Sequence, residues 1–397
     1  MDFSKRTWAE ISLDNITHNV FEIRKIVGSD VAVIWIVKAD SYGHGAVPVC
    51  HKLEAIGADY FAVAAVDEAQ SLRQNGIKTP ILVLSSSSHG MIDEIIANDI
   101  TPSVLSWEDA QYLSEEAVKR NKIIKVHIAI DTGMGRIGLN AREESALKTT
   151  IDYVLNIARL PGIQTEGIFT HFATADEEDN TFTRKQYTLF SKVIDAVKDK
   201  APLVDSLKYI HCANSAAIIK PLDMHINAVR AGIILYGMHP SEYTKQYNIN
   251  LKPAMTLKTA VTFVKQTETS TPISYGSTYV TQEGSYIATV PVGYADGYRR
   301  SLSNNAHMIL HGRKVPVIGR VCMDQTMLDV TELFKDGITV KTGDVVEIFG
   351  EGIITADDVA RNAGTINYDI TCGISMRVPR IYIEKGKQDI VVNLLSK

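Results

Sequence analysis

The first 240 residues alternate short β-branched apolar runs with longer amphipathic stretches, and this alternation restricts the fold more than any other feature. Helical patterns lie before the first run and between most of the others, at Leu13–Val27, Asp67–Asn75, Trp107–Arg120, Thr183–Ala201 and Ser215–Lys220. Eight runs are typical of buried strands: Val31–Val37, Tyr60–Val63, Ile81–Leu84, Thr101–Leu105, Lys125–Ile130, Thr165–His171, Tyr209–Ala213 and Ala228–Leu235. An α/β fold built on a (β/α)8 TIM-type barrel is therefore predicted, with a doubly wound open sheet as the alternative.

The pattern changes after about Pro240, where the polar segment Ser241–Pro253 is typical of a linker. Alternating runs then predict a small β domain with one short helix at Thr355–Asn362. The predicted strands are Thr256–Phe263, Ser285–Val290, Met308–Val317, Met327–Val330 and Asp344–Phe349, with a turn signal at His311-Gly312. We therefore predict a barrel domain over residues 12–240 and a mostly-β domain over residues 241–397.

Composition narrows the class of protein. The chain has 397 residues, of which 45% are apolar and 22% charged, as in an ordinary globular protein. The net charge is −5 and there is no basic block, so neither nucleic acid nor an anionic membrane is expected as a partner. The amino terminus lacks the apolar core of a signal peptide. Four dispersed cysteines without a Cys-x-x-Cys pair argue against a zinc site and fit a cytoplasmic protein.

Lys38 stands at the end of the first apolar run, and Gly43 and Gly45 follow it closely. An ammonium group is unsuited to the inside of a buried strand, whereas the carboxyl ends of barrel strands are where catalytic groups gather. A partly desolvated lysine has a lowered pKa, and its amine can form a Schiff base with a carbonyl. A surface lysine at a strand end is the simpler interpretation, and position alone does not exclude it.

Polar residues recur at the carboxyl ends of the other predicted strands. The rim of a barrel would bring such residues together. With Lys38 they form a set of cations, imidazoles and hydroxyls: Tyr42, Asp131 with Arg136, His171, His211 with Asn214 and Ser215, and Arg230 with Gly232. This set suits an anionic aldehyde, and pyridoxal 5'-phosphate is such a cofactor. Its aldehyde would take the lysine, its phosphate the hydroxyls and backbone N–H groups, and its ring nitrogen a polar partner.

Structural roles explain some of these residues equally well. Ser215 follows Ala213-Asn214 and is placed to cap the next helix. His171 and His211 are also consistent with hydrogen-bonded core histidines. For these three residues the cofactor interpretation and the structural one both stay open.

The two arginines carry different weight. Arg136 lies in the glycine-rich segment Asp131–Gly138, which is either a flexible loop or one that brings a guanidinium to a carboxylate. Arg230 interrupts the apolar run Ala228–Leu235, and arginine is almost never fully buried without a partner. We interpret Arg230 as a residue of the barrel rim, with a structural ion pair as the alternative.

Taken together, these segments resemble alanine racemases, which are fold-type III pyridoxal phosphate enzymes, from Trp8–Asp14 to Arg377–Arg380. The motifs are Val37–Gly45, Asp131–Gly138, Thr170–Ala173, Ala213–Ala217, Arg230–Gly237, Ser274–Tyr279, Val292–Tyr298, Gly319–Gln325 and Tyr368–Arg380. The resemblance implies the barrel and the β domain, with the amino-terminal segment 1–11 added to the latter as a strand around Thr7–Ile11. It also implies a homodimer whose active sites lie at the subunit interface, and supply of D-alanine for peptidoglycan.

The resemblance assigns two acid/base residues. Lys38 would hold the cofactor and act on one face of the substrate, and Tyr275 of the partner subunit would act on the other. Two bases explain racemisation, because one removes the α-proton and the other returns a proton to the opposite face. Tyrosine has an ordinary pKa near 10, so nearby cations must favour its phenolate or couple its proton transfer.

The resemblance also assigns binding residues. Arg230 would face the pyridine nitrogen and leave it unprotonated, since arginine keeps its own protons; this would limit side reactions such as transamination. His171 would support Arg230, and Tyr294 with Tyr368 would narrow the access of substrate. The phosphate would be held by Tyr42, Ser215, Gly232, Ile233 and Tyr368, with Asn214 beside it, and Arg136 and the Met323 backbone would contact the cofactor or the substrate carboxylate.

Ala129 departs from the commonest family pattern, which has a carbamylated lysine seven residues before the equivalent of Arg136. Since no carbamate can form on alanine, Arg136 needs another partner. We expect a chloride ion or a water molecule in that space.

Three other kinds of protein share parts of these motifs. Serine racemases of glycopeptide resistance have the same motifs, so serine is an alternative substrate. Non-catalytic pyridoxal phosphate carriers have the barrel and its lysine but lack the second domain and therefore Tyr275. Fold-type III decarboxylases place an acid opposite the ring nitrogen, so Arg230 argues against them.

Overall fold

The computed structural model describes residues 6–86 and 90–392 and divides into two compact units. Of the described residues, 17–41, 46–86 and 90–251 form the barrel unit, and 6–16, 42–45 and 252–392 form the β unit. Residues 1–5 of the predicted amino-terminal strand segment and residues 393–397 of the predicted β domain lie outside the described part of the chain. No helix of the described part is both long and apolar enough to cross a membrane.

In the described part of the barrel unit, eight parallel strands pair in chain order and close on themselves. The last strand pairs with the first and the fourth with the fifth, so the predicted barrel is confirmed and an open sheet is excluded. The strands are Ala32–Ile36, Tyr60–Val63, Ile81–Val83, Ile100–Val104, Ile124–Asp131, Ile163–Phe169, Tyr209–His211 and Ala228–Ala231, and the short Leu139–Asn140 pairs with the fifth.

Amphipathic helices alternate with these strands. In Thr181–Val197, for example, Phe190, Val193 and Val197 recur at helical spacing and are buried. The helices are Leu13–Val27, Ala46–Ala55, Val66–Gln74, Ile92–Ala97, Trp107–Lys119, Glu144–Ala158, Thr181–Val197, Leu203–Ser206 and Ser215–Ile219. Short 3-10 turns follow at Ile233–Tyr236 and at Tyr243–Gln246, the latter inside the predicted linker.

At the end of the barrel the structure excludes one role left open for Ser215, that of helix cap, and corrects one predicted strand. The N-cap of helix Ser215–Ile219 is Asn214, whose side chain accepts from the Ala217 N–H, and not Ser215. The predicted strand Ala228–Leu235 ends at Ala231, because the N–H of Gly232 donates to the Ser215 hydroxyl (2.9 Å) instead of to a neighbouring strand.

A left-handed turn follows Lys38. The four residues Ala39–Tyr42 have φ angles between 52° and 54°, a conformation that costs an L-residue roughly 1–2 kcal/mol. Hydrogen bonds hold its first part: Ser41 N donates to Val37 O (3.0 Å), and the Asp40 carboxylate accepts from Ala46 N (2.7 Å). The chain therefore reverses sharply at the end of the first barrel strand, with Lys38 at the corner.

The described part of the β unit is mostly β, as predicted. Its large sheet contains, in spatial order, Phe263–Gln266, Tyr286–Val290, Thr326–Asp329, Arg313–Ile318, His307–Leu310, Val345–Phe349, Met255–Ala260, Thr7–Ser12, Arg380–Glu384 and Lys387–Val392. A separate pair joins Pro272–Ile273 to Tyr279–Val280. Thr7–Ser12 pairs antiparallel with Met255–Ala260 and parallel with Arg380–Glu384.

Three predictions for the β unit were wrong in detail. Thr256–Phe263 and Met308–Val317 are each interrupted, the second by the His311-Gly312 turn of a hairpin. The described part of the β unit contains three α-helices where one helix was predicted: Thr331–Lys335, Ala356–Ala363 and Asn367–Cys372. Two of them have only five or six residues, too few to show a helical period in the sequence.

Candidate active site

Arg230 is buried at the end of the last barrel strand and donates only to neutral acceptors. One guanidinium nitrogen, Nη1, donates to the carbonyl oxygen (3.0 Å) and Nδ1 (2.9 Å) of His211. The other, Nη2, donates to Thr170 O (2.9 Å), Cys212 O (3.2 Å) and Nδ1 of His171 (3.1 Å). No described carboxylate pairs with it, and burial lowers the pKa of Arg230 to about 10. The structural ion pair considered for this residue is absent from the described residues.

His171 and His211 are both neutral. Burial and the Arg230 cation hold the pKa of each imidazole well below its usual range. Because Arg230 donates to Nδ1 of both rings, each ring carries its proton on Nε2. The Phe169 ring stacks on the His211 ring, with 5.1 Å between the two centroids, and its centroid lies 5.7 Å from the Arg230 guanidinium carbon. The same aromatic side chain therefore packs against both His211 and Arg230.

Three basic side chains lie close enough to His171 to lower its pKa. After burial, the charges that lower its pKa are those of Arg230, Arg136 and Lys38. Lys38 is half-buried at the end of strand Ala32–Ile36, and Arg136 is exposed in the glycine-rich loop. The barrel therefore brings together residues separated by nearly 200 positions in the sequence, and their combined charge suits an anion.

The Asp131 carboxylate pairs with Arg142, which the sequence did not suggest, and not with Arg136. It accepts from Arg142 Nε (2.8 Å) and Nη2 (2.5 Å), and from the N–H groups of Gly133 and Gly135 (3.0 Å each). Burial raises the pKa of Asp131, but these donors outweigh it and the pKa is lowered. Asp131 thus holds Gly133 and Gly135 of the glycine-rich loop against the end of strand Ile124–Asp131, and Arg136 in the same loop is exposed.

The residues predicted to contact a phosphate on the barrel side lie close in the structure. Asn214 and Ser215 begin a helix, and the Ser215 hydroxyl contacts the backbone of Gly232, next to the buried Ile233. Ala129, the position at which the sequence departs from the family pattern it resembles, is 1% exposed on strand Ile124–Asp131.

Tyr275 of the β unit is 68% exposed and follows a strained residue. Ser274 has φ 63° and ψ −175°, a region that is essentially restricted to glycine. The Ser274 hydroxyl donates to Arg320 O, and a Cβ at Gly276 would lie 3.2 Å from the Arg320 guanidinium. The Arg320 guanidinium therefore lies beside Gly276, the residue that follows Tyr275, and the Tyr275 side chain itself is exposed to solvent.

Tyr294 and Met323, also exposed, lie on two loops joined by backbone hydrogen bonds. Tyr294 N donates to Cys322 O, and Ala295 N to Met323 O, each at 3.0 Å. The buried Asp296 carboxylate accepts from Arg6, Arg377 and Gly293 N, and Arg377 also pairs with Asp324. The sequence did not predict this ion network; an aspartate in the turn Ala295-Asp296-Gly297 is too common a turn residue to indicate it.

Tyr42 and Tyr368 lie together in the β unit, with ring centroids 5.9 Å apart. Burial, followed by the proximity of Tyr368 and Cys372, raises the pKa of Tyr42 far above its usual range. Tyr382 donates to the carbonyl oxygen of His44 (3.0 Å), and its hydroxyl fills the space that a side chain at Gly45 would need. These contacts fix the backbone that follows the left-handed turn.

Comparisons with known proteins cover both units. Residues 11–240 match the family model described as the alanine racemase N-terminal domain, and residues 254–382 match that of the C-terminal domain. An alanine racemase from Clostridium perfringens is 46% identical over 100% of both chains, and one from Clostridium tetani is 45% identical over 96% of both.

Solved structures agree with these relatives. The alanine racemase of Clostridium difficile 630 superposes with a TM-score of 0.91 at 41% identity, covering 98% of both chains. The alanine racemase of Bacillus anthracis with bound L-Ala-P gives a TM-score of 0.89 at 39% identity, with the same coverage. With family matches on both units and these full-length relatives, the chain belongs to the alanine racemase family of isomerases.

Proposed function

We propose that this protein interconverts L-alanine and D-alanine with pyridoxal 5'-phosphate held on Lys38. The observation that carries the proposal is the buried Arg230, which is held by His171 and His211 without a described carboxylate partner, in a chain of a family that generally depends on this cofactor. When bound, the cofactor supplies an electron-withdrawing ring that stabilises the negative charge left when the α-proton departs.

The residues present suit that cofactor. An amine, two guanidinium groups and a serine hydroxyl match an aldehyde, a ring nitrogen, a carboxylate and a phosphate, and no described acidic side chain pairs with Arg230. Arg230 would donate to the ring nitrogen without protonating it, because its pKa of about 10 keeps it charged at neutral pH. His171 and His211 would orient that guanidinium through their Nδ1 atoms.

The remaining binding roles are part of the same proposal. Arg136 and the Met323 backbone would bind a carboxylate, and Tyr294 with Tyr368 would restrict access. The phosphate would be held by Tyr42, Asn214, Ser215, Gly232, Ile233 and Tyr368. The product D-alanine would serve peptidoglycan synthesis.

Racemisation requires proton transfer on both faces of the substrate. Lys38 would hold and return the proton on one face, and Tyr275 of the partner subunit on the other. The 68% exposure of Tyr275 in a single chain supports this division, since a base that moves protons in a water-excluded site needs to be covered by another surface. The working enzyme would then be a homodimer.

The substrate is tested by loading the protein with pyridoxal 5'-phosphate and measuring L-to-D and D-to-L conversion of a panel that includes alanine and serine. We expect alanine to be the fastest substrate. Faster turnover of serine would favour the alternative racemase, and turnover of neither would refute the proposal. Lys38→Ala should abolish both the absorbance of the bound cofactor and the activity.

The shared site is tested by mixing two inactive variants, Lys38→Ala and Tyr275→Phe, under conditions that exchange subunits. If each site combines Lys38 of one chain with Tyr275 of the other, half of the dimers are hybrids with one intact site, and activity recovers to about a quarter of wild type. If both bases come from one chain, no hybrid has an intact site and the mixture stays inactive.

A further inference from the structure

His127 lies next to His211, one of the two histidines that contact Arg230. Its Nδ1 is 2.9 Å from Nε2 of His211, and both rings are fully buried in the barrel. Because His211 carries its proton on Nε2, it donates to Nδ1 of His127, which must accept. His127 therefore carries its own proton on Nε2, and the hydrogen bonds run in one direction from Arg230 through His211 to His127.

Glu166 stands at the far end of this series. His127 Nε2 has no hydrogen-bond partner among the described residues and lies 4.0 Å from Oε2 of Glu166. The same carboxylate oxygen accepts from the Tyr60 hydroxyl (3.2 Å), which also lies 2.9 Å from the Thr101 hydroxyl. An acceptor thus faces the N–H end of His127.

The backbone is shaped to receive His127. A Cβ at Gly167 would lie 2.5 Å from Cε1 and Nδ1 of the imidazole, so only glycine leaves room for this ring. The register between Ile124–Asp131 and Ile163–Phe169 shifts at this point, where Val126 opposes Thr165 and His127 opposes Gly167, which leaves Glu166 as the extra residue of a β-bulge. Bulges beside active sites re-aim side chains, and this one aims a carboxylate at the histidine.

We propose that His127, backed by Glu166 and accommodated by Gly167, is a positioning residue for Arg230. It fixes the tautomer and orientation of His211, and His211 fixes the Nη1 end of the guanidinium. This inference rests on the proposed function, in which Arg230 donates to the ring nitrogen of the cofactor. A misplaced guanidinium would change the electron demand of the ring, so racemisation should slow and side transamination should increase.

The first experiment needs no substitution. Nitrogen-15 spectra of histidine-labelled protein, with and without pyridoxal 5'-phosphate, distinguish the two tautomers of each buried ring. We expect both His127 and His211 to carry the proton on Nε2. A proton on Nδ1 of either ring would overturn the inference, whatever the activity of the enzyme.

The second experiment compares variants of the full-length, cofactor-loaded protein. His127→Phe removes the acceptor, Gly167→Ala displaces the ring without removing a polar group, and His127→Asn keeps an acceptor near the position of Nδ1. Tyr209→Phe is the control, because the Tyr209 ring stacks on His127 but stands outside the hydrogen-bonded series. The readouts are the absorbance maximum of the bound cofactor, the kcat and KM of racemisation, and pyruvate formed per racemisation event.

We expect His127→Phe and Gly167→Ala to shift the absorbance, to raise the pyruvate ratio and to lower kcat about fivefold, the effect of one neutral hydrogen bond, with KM changed less than about twofold. His127→Asn and Tyr209→Phe should resemble wild type. Wild-type absorbance and pyruvate ratio in Gly167→Ala would overturn the inference even if His127→Phe fails to fold. A wild-type protein that binds cofactor but racemises neither alanine nor serine would instead refute the proposed function, and the tautomer measurement would still decide the inference.

Discussion

The three neutral histidines around Arg230 should make this protein unusually sensitive to mild acid. Burial lowers the pKa of His127 to about 3 and holds those of His171 and His211 well below their usual range. In the unfolded chain each imidazole titrates near 6.5. Between these values the unfolded state binds more protons than the folded state, so stability is complete above about pH 6.5 and is lost as the pH falls.

The magnitude follows from the same linkage. On going from pH 7.5 to pH 5.5, each neutral histidine reduces the free energy of unfolding by about 1.4 kcal/mol, and the three together by about 4 kcal/mol. This is a large part of the net stability of a typical domain, about 5–15 kcal/mol. Urea unfolding of the cofactor-free protein at pH 7.5, 6.5 and 5.5, followed by far-ultraviolet circular dichroism, measures it.

A pair of variants separates this effect from that of all other titrating groups. His127→Asn should lower the acid sensitivity by about 1.4 kcal/mol relative to wild type, because one of the three proton-binding differences is removed. Tyr209→Phe, which changes the ring stacked on His127 without removing a group that titrates in this range, should leave it unchanged. If His127→Asn and wild type lose the same free energy between pH 7.5 and 5.5, His127 is not neutral in the folded protein and the reasoning fails.

Three further predictions concern other parts of the molecule. Asp296→Asn should lower the free energy of unfolding in urea by about 3 kcal/mol, because it leaves two arginines without their buried carboxylate. Asp324→Asn changes a half-exposed partner of the same Arg377 and should cost less than about 1 kcal/mol. Equal effects of the two substitutions would contradict this account. Gly45→Ala should lower the melting temperature and the fraction of protein that binds cofactor, because its φ is 90° and the Tyr382 hydroxyl occupies the space of a methyl group; normal values would show that the loop adapts. If a chloride ion lies beside Arg136, the racemase activity of the dialysed enzyme should rise with added chloride at constant ionic strength. Arg136→Gln should then remove this dependence on chloride. A wild-type enzyme whose activity does not change with chloride would leave water as the partner of Arg136.

Local pattern was enough to predict the barrel. Its strands are short, apolar and bounded by amphipathic helices, so the spacing of apolar residues in each segment distinguishes strand from helix. The helix Leu13–Val27, for example, has the predicted bounds. The β unit was harder: Met308–Val317 has a β pattern on both sides of the His311-Gly312 turn signal, and pairing in space shows that this turn ends one strand and begins the next.

The site was predictable as a set of residue types but not as a set of contacts. The rim residues were recognisable because strand ends carry polar side chains, whereas their partners depend on the closed barrel. His127 and His211 are 84 positions apart, and Asp131 selects Arg142 over the nearer Arg136 because the glycine loop folds back. The left-handed turn Ala39–Tyr42 contains no glycine and therefore leaves no local signal.

That turn also bears on how the protein reaches its active form. Four consecutive residues in a left-handed conformation cost roughly 4–8 kcal/mol in total, which approaches the net stability of a whole domain. The chain can hold this conformation only after the surrounding strand and helices are in place to compensate for it. Lys38 should thus reach its final position late in folding, and a refolding chain should regain its circular dichroism before it regains the ability to bind a cofactor.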